Sequence, residues 1–319
     1  MHRSLLMVSL VVSWTLACGN PQPGEAPPAW AYPVNPRNLK VPPDDGSPLH
    51  VPDSDAVFTL TQIRDLNFSP DWHPGDHPAM PEVVARGRKP AVLACGSCHR
   101  ADGSGGPENA RLAGLPAAYI AQQVLDFKSG ARRTSVEGRN PKLMVDTARA
   151  MTNEEIAAAA AYFSALTPRS AIKVLESTNA PKTQVVDWHL AVASTAGTEP
   201  LGRRIIEVPG DLEQFERRDG RSRWVAYVPV ASVQRGQKLV TSGDGKTVPC
   251  STCHGPLLKG VSPIPGIAGR SPSYLIRQLY DFRAGVRAGA GSALMKPIVA
   301  NLSVDDMISL AAYAASLDP

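Results

Sequence analysis

Two stretches of the chain carry the same helical stripe. In one, Ile120, Val124 and Phe127 recur at i, i+4 and i+7, and in the other Leu275, Leu279 and Phe282 do the same. That spacing predicts an amphipathic helix with one buried face. Each run ends at a glycine, Gly130 or Gly285, suited to a C-terminal cap. Further on, Thr152-Asn153-Glu154-Glu155 has the form of a capping box and Ser303-Val304-Asp305-Asp306 is close to it, so a final helix is expected in each stretch. Arg86-Gly87 and Arg235-Gly236 mark a matching helix upstream. Between 168 and 232 the pattern changes. Segments 171–175, 185–192, 204–208 and 224–230 are rich in β-branched and aromatic residues and predict short strands. Residues 19–69 show little periodicity and are expected to form an extended spacer. Val57, Phe58, Leu60 and Ile63 are the residues by which part of it could instead wrap the first domain.

These matches form one internal repeat. An offset of 155 relates Ala113-Gly114 to Ala268-Gly269, Tyr119 to Tyr274, Gln123 to Gln278, and Asp126-Phe127 to Asp281-Phe282. The repeated aromatics and glycines read as core packing. Beyond Gly130 the offset falls to 151, so the first copy holds four extra residues in a loop. Met144 then lies on Met295, Met151 on Leu302, Tyr162 on Tyr313 and Leu166 on Leu317. The architecture expected is mainly α: helical domains at 70–167 and 233–319, separated by a strand-containing insert at 168–232.

Length agrees with two domains, since 319 residues exceed what one core usually serves. Lys and Arg number 33 against 29 Asp and Glu, with no basic stripe, which excludes a nucleic-acid binder. Of 30 prolines, fourteen fall between residues 20 and 81, marking 18–69 as a Pro-rich arm. Residues 1–17 read as an export signal: His2 and Arg3 precede an apolar run over 5–12 that is too short to span a bilayer. The following Thr15-Leu16-Ala17-Cys18-Gly19 resembles a bacterial lipoprotein cleavage site, which makes Cys18 the expected lipidation site and a membrane the expected anchor. The alternative is an ordinary signal peptide with an incidental cysteine.

The other four cysteines form two pairs, each followed at once by histidine: Cys95-Gly96-Ser97-Cys98-His99 and Cys250-Ser251-Thr252-Cys253-His254. Two thiols three residues apart can add to the two vinyl groups of one heme, and the adjacent histidine is placed to bind the iron. A four-cysteine zinc site would need the pairs far closer together. A redox dithiol, or two small disulfides in an exported protein, would leave both histidines unexplained. Two covalently attached c-type hemes are therefore expected.

With the run Tyr274-Leu-Ile-Arg-Gln-Leu-Tyr-Asp-Phe-Arg-Ala-Gly285, Met295 before Leu302-Ser303, and Leu310-Ala-Ala-Tyr313, the sequence resembles the class I cytochromes c of the tandem diheme type. The likeness covers about 82–167 and 233–319. It implies two class I cytochrome c domains, His/Met-ligated iron and electron transfer. His99 and His254 are then the expected proximal ligands. A thioether suits heme iron and raises its potential relative to a second imidazole, and the repeat correspondence selects Met144 and Met295, each on a loop before the last helix. Met151 and Met307 fall on apolar positions of the other copy and read as core. Arg132 and Arg287 could pair with heme propionates or lie as solvated surface arginines. His73 and His77, among Asp71 and Asp76, read as part of a rigid loop.

The leading function is a periplasmic, lipid-anchored diheme carrier moving single electrons between respiratory redox partners. The alternatives are a heme subunit of a membrane-associated oxidase or dehydrogenase complex, and a diheme enzyme of peroxidase or thiosulfate-oxidising type. An enzyme needs an open iron position or a special ligand, whereas each repeat has its own methionine and no cysteine is left over.

Overall fold

The computed structural model describes residues 25–39, 42–136, 141–186, 188–195 and 197–319. The signal segment and Cys18 lie outside the described residues. The first domain follows a short arm helix α1 (Leu60–Arg64) and runs through α2 (Glu82–Ala85), α3 (Cys95–His99), α4 (Ala117–Ser129), α5 (Lys142–Ala150) and α6 (Asn153–Ala165). Thr152 opens α6 with both reciprocal bonds of a capping box to Glu155. Gly130 closes α4 at φ +76°, where a side chain would be strained. The helices enclose Val84, Ile120, Val124, Met151, Ile156, Phe163 and Leu166. Burial of each large apolar side chain contributes about 1.5–3 kcal/mol.

The insert holds β1 (Ile172–Glu176), β2 (Asn179–Pro181), β3 (Thr183–Val186), β4 (His189–Val192), β5 (Thr198–Pro200), β6 (Ile206–Pro209), α7 (Leu212–Glu216) and β7 (Trp224–Val228). Its main sheet has the order β1-β7-β6, with β1 parallel to β7 and β6 antiparallel to it. Residues 185–192, expected as one strand, belong instead to the β3–β4 hairpin, in which Val186 pairs with His189. Trp188 turns the chain there at φ +68°.

The second domain comprises α8 (Ser232–Ser242), α9 (Ser251–His254), α10 (Pro272–Arg283), α11 (Ser292–Val299) and α12 (Val304–Ser316). Ser303 and Asp306 form the capping box of α12. Leu239, Ile276, Leu302, Met307, Ile308 and Leu310 fill its core.

Two further expectations change. Gly87 and Gly236 do not mark equivalent helices. Gly87, at φ +66°, follows a single helical turn, whereas Gly236 lies inside eleven residues of helix. There α8 crosses α12 so closely that a Cβ would sit 2.0 Å from the Ser309 carbonyl oxygen. The Pro-rich arm is also more than a spacer. Ala31 and Tyr32 are buried in the second domain's core, the Tyr280 hydroxyl donates to the Glu25 carbonyl, and Arg277 Nη1 donates to the Ala31 carbonyl. Further along, Val51, Ile63 and Trp72 form a small core of their own, and Trp72 Nε1 donates to the Arg217 carbonyl. Apolar residues scattered between prolines bury themselves without leaving a periodic trace.

Candidate functional site

Each Cys-x-x-Cys-His motif is wound into one helical turn, α3 in the first domain and α9 with its flanking Cys250 in the second. A turn places i and i+3 on one face, so Cys95 and Cys98 project together, as do Cys250 and Cys253, all as free thiols. Burial pushes the Cys95 thiol up to about 12 and the Cys250 thiol up to about 11.

The histidines are oriented alike. His99 Nδ1 lies 2.8 Å from the Ala110 carbonyl oxygen and His254 Nδ1 lies 2.8 Å from that of Pro265, each eleven residues on. A carbonyl only accepts, so Nδ1 carries the proton and Nε2 keeps its lone pair. Burial lowers both imidazole pKa values, which favours the neutral, ligating form. Two thiols and a neutral imidazole with its tautomer fixed are the donor set that covalent heme attachment needs, so the residues present fit that group. The residue after each histidine must then turn through the left-handed region: Gly255 does so at φ +80° and Arg100 at φ +69°.

Met144 and Met295 sit at the start of α5 and near the middle of α11, both half-buried against their domain's core. The sequence reading put them on loops. Helices of nine and eight residues are too short to show a period, which explains the difference. Met151 and Met307 are core, filling positions the repeat had marked as apolar.

Arg132 and Arg287 are not solvated. They are 8% and 7% exposed and pair across the two domains about an approximate twofold relation. Arg132 Nη2 donates to the Tyr274 hydroxyl (2.9 Å) and Gln278 Oε1 (2.8 Å), while Arg287 Nη2 donates to the Tyr119 hydroxyl and Gln123 Oε1, both at 2.8 Å. Each guanidinium also lies over its own domain's phenylalanine, Phe127 at 4.5 Å and Phe282 at 4.2 Å. Their partners in the network are phenols and amides, and the two cations hold the Tyr274 phenol below its usual range despite burial. Tyr119, Tyr274, Gln123 and Gln278 thus serve the interface. The signal that could have found them was their repeat match, which core packing explained equally well.

His73 and His77 do not converge. His73 Nε2 lies 3.1 Å from Asp219 of the insert, and His77 Nε2 lies 3.1 Å from Asp71. Among the described residues no single helix is long and apolar enough to cross a membrane.

The family description "Cytochrome c" matches residues 84–167. A protein of Stutzerimonas stutzeri described as "Thiosulfate dehydrogenase electron acceptor" is 30% identical over 72% of this chain and 82% of its own length. Cytochrome c4 of Pseudomonas aeruginosa is 25% identical over 73% of this chain and 88% of its own. The crystal structure of reduced recombinant cytochrome c4 from Pseudomonas stutzeri covers 70% of this chain and 93% of that one, at 24% identity and a TM-score of 0.47. The repeated attachment motifs, the mainly helical fold and these relatives place the chain in the tandem diheme class I cytochromes c, proteins that transfer electrons through two covalently bound heme c groups.

Proposed function

We propose that the protein is a periplasmic electron carrier that takes single electrons from a thiosulfate-oxidising dehydrogenase and passes them to a respiratory redox partner. The description of the Stutzerimonas stutzeri relative supports that donor. Cys95 and Cys98 would hold one heme and Cys250 and Cys253 the other. His99 with Met144, and His254 with Met295, would ligate the two irons. When bound, heme c supplies a one-electron couple whose potential a thioether ligand raises. The Ala110 and Pro265 carbonyls keep each imidazole in the ligating tautomer, and burial favours its neutral form. Cys18, once lipidated, would hold the carrier beside membrane partners and raise their effective concentration.

The observation that carries this reading is the duplicated donor set. Each domain supplies its own oriented histidine and its own methionine, so neither iron needs an open position. Addition of carbon monoxide to the reduced, heme-loaded protein tests it. Two hemes per chain and an unchanged optical spectrum are expected. A spectral shift at one heme would show an open iron and overturn that methionine assignment.

A further inference from the structure

The insert meets the two heme domains differently. Over the first, Arg218 donates to the Ser97 carbonyl and Arg100 lies 5.0 Å over the Phe215 ring, and none of residues 95–107 is exposed. In the second motif Thr252 and Cys253 stay exposed, and the insert reaches that domain through a buried carboxylate instead. Glu207, on β6, is 2% exposed. Its Oε2 accepts from Ser271 Oγ (2.7 Å) and from the Ser273 amide (3.1 Å) at the start of α10. Its Oε1 has no hydrogen-bond partner among the described residues. Glu207 lines a cavity of about 20 Å³ together with Arg111, Asp219, Arg270 and Tyr274, with room for one water.

Three arginines lie near this carboxylate without pairing to it. Arg277 gives its hydrogen bonds to the Ala31 and Pro107 carbonyls, Arg111 to that of Gly269, and Arg270 to those of Gly266 and Arg111. Of the other titratable groups, Asp219 is bonded to His73 and Gln214, the Tyr274 hydroxyl accepts from Arg132, and His189 of β4 packs against Trp224. Burial pushes the Glu207 carboxyl above its usual range, against the pull of its hydrogen bonds and of Arg277. The same arginines adjoin the loops that orient both imidazoles. Arg111 follows Ala110, whose carbonyl faces His99 Nδ1. Arg270 Nε donates at 2.6 Å to the Gly266 carbonyl, one residue beyond Pro265, whose carbonyl faces His254 Nδ1. We propose that Glu207 is a redox-linked proton site, which binds a proton from water when the protein is reduced and releases it on oxidation. One electron from the partner protein goes to an iron and one proton goes to Oε1, the oxygen no donor occupies, so an O–H bond is the only bond formed. Reduction lowers the charge at an iron by one unit, and a unit charge at about 10–15 Å shifts a buried proton equilibrium severalfold. By reciprocity the bound proton strengthens electron binding by the same factor.

This inference rests on the carrier reading, and its test follows protons as well as electrons. The holoprotein, loaded with two hemes, is titrated spectroelectrochemically from about pH 5 to 8, with infrared difference spectra of the two redox states. In the unmodified protein the equilibrium constant for reduction should fall about threefold or more as pH rises. The reduced-minus-oxidised spectrum should gain the carbonyl stretch of a protonated carboxylic acid. Glu207→Gln keeps the shape and an acceptor for Ser271 and Ser273 but cannot titrate, so its constant should stay at the acid value and the band should vanish. Ser271→Ala removes a bond that favours the charged form and should move the pH dependence upward. A constant independent of pH in the unmodified protein, or no displacement in Ser271→Ala, would overturn the proposal. So would a slope and band that survive in Glu207→Gln, which would assign the proton to another group such as a heme propionate. If carbon monoxide binds a reduced iron, the carrier reading fails, while a band that depends on Glu207 still supports the proton site.

Discussion

The two heme domains descend from one sequence pattern yet differ where the pattern is silent. In the second, α8 runs eleven residues and crosses α12 at Gly236, and the attachment motif faces outward. In the first, α2 is a single turn. Neighbouring support comes from the arm, where the Ala94 amide donates to the Leu66 carbonyl, the Ser69 amide donates to the Ala85 carbonyl, and Ser69 lies against Gly96. The insert then covers the motif itself. A repeated core can therefore carry two unlike surfaces, because helices depend on residues in the repeat while coverage depends on segments outside it.

Removing one heme breaks the comparison most directly. Cys250→Ser/Cys253→Ser and Cys95→Ser/Cys98→Ser should each lower the heme-to-protein ratio from two to one by absorbance. Next in size is the Phe215→Ala change. The Phe215 ring contacts His189, Trp224 and the Arg100 guanidinium, and its loss is expected to cost about 3 kcal/mol. Hydrogen exchange over 95–107 should then rise toward that of the second domain's motif.

The helix crossing offers a smaller contrast. Gly236→Ala should destabilise the second domain by about 2 kcal/mol, because the Ser309 backbone cannot yield to a Cβ. Gly130→Ala has nothing within 4 Å and should cost about 1 kcal/mol, the strain of its left-handed φ. Thermal unfolding of the holoprotein ranks the two.

The smallest effect concerns the loop that opens the first domain. The hydrogen bond from His77 to Asp71 raises the His77 pKa against the opposing pull of burial, and the Pro78 carbonyl and Asp102 raise it further. The stabilisation is therefore fully present below the unfolded value of about 6.5 and is lost as pH rises through the raised folded value. Asp71→Asn should bring the His77 titration back down when followed by NMR. An unchanged titration would remove Asp71 as the cause.

Much of the site was legible in the sequence. The Cys-x-x-Cys-His turns, the helix-closing Gly130 and the capping residues Thr152 and Ser303 all act within a few residues of themselves. Local chemistry of that kind needs no tertiary information. Arg132 and Arg287, the arginines that follow each matched helix, were named too, as propionate-binding or solvated residues, and burial overturns only the second of those readings. Their burial against Tyr274 and Tyr119 came from a contact between domains that no spacing encodes.

By itself, the sequence determined that the chain has two helical heme domains and which residues could attach the cofactors, because thiol spacing, an adjacent imidazole and apolar periodicity are properties of short segments. Tertiary structure alone decided that the arm would thread into both domains, that Phe215 and Arg218 would close over one motif, and that the other would remain open. Those outcomes depend on groups meeting across separations from under thirty to well over a hundred residues, where the winning contact is set by shape and burial and leaves no period to read.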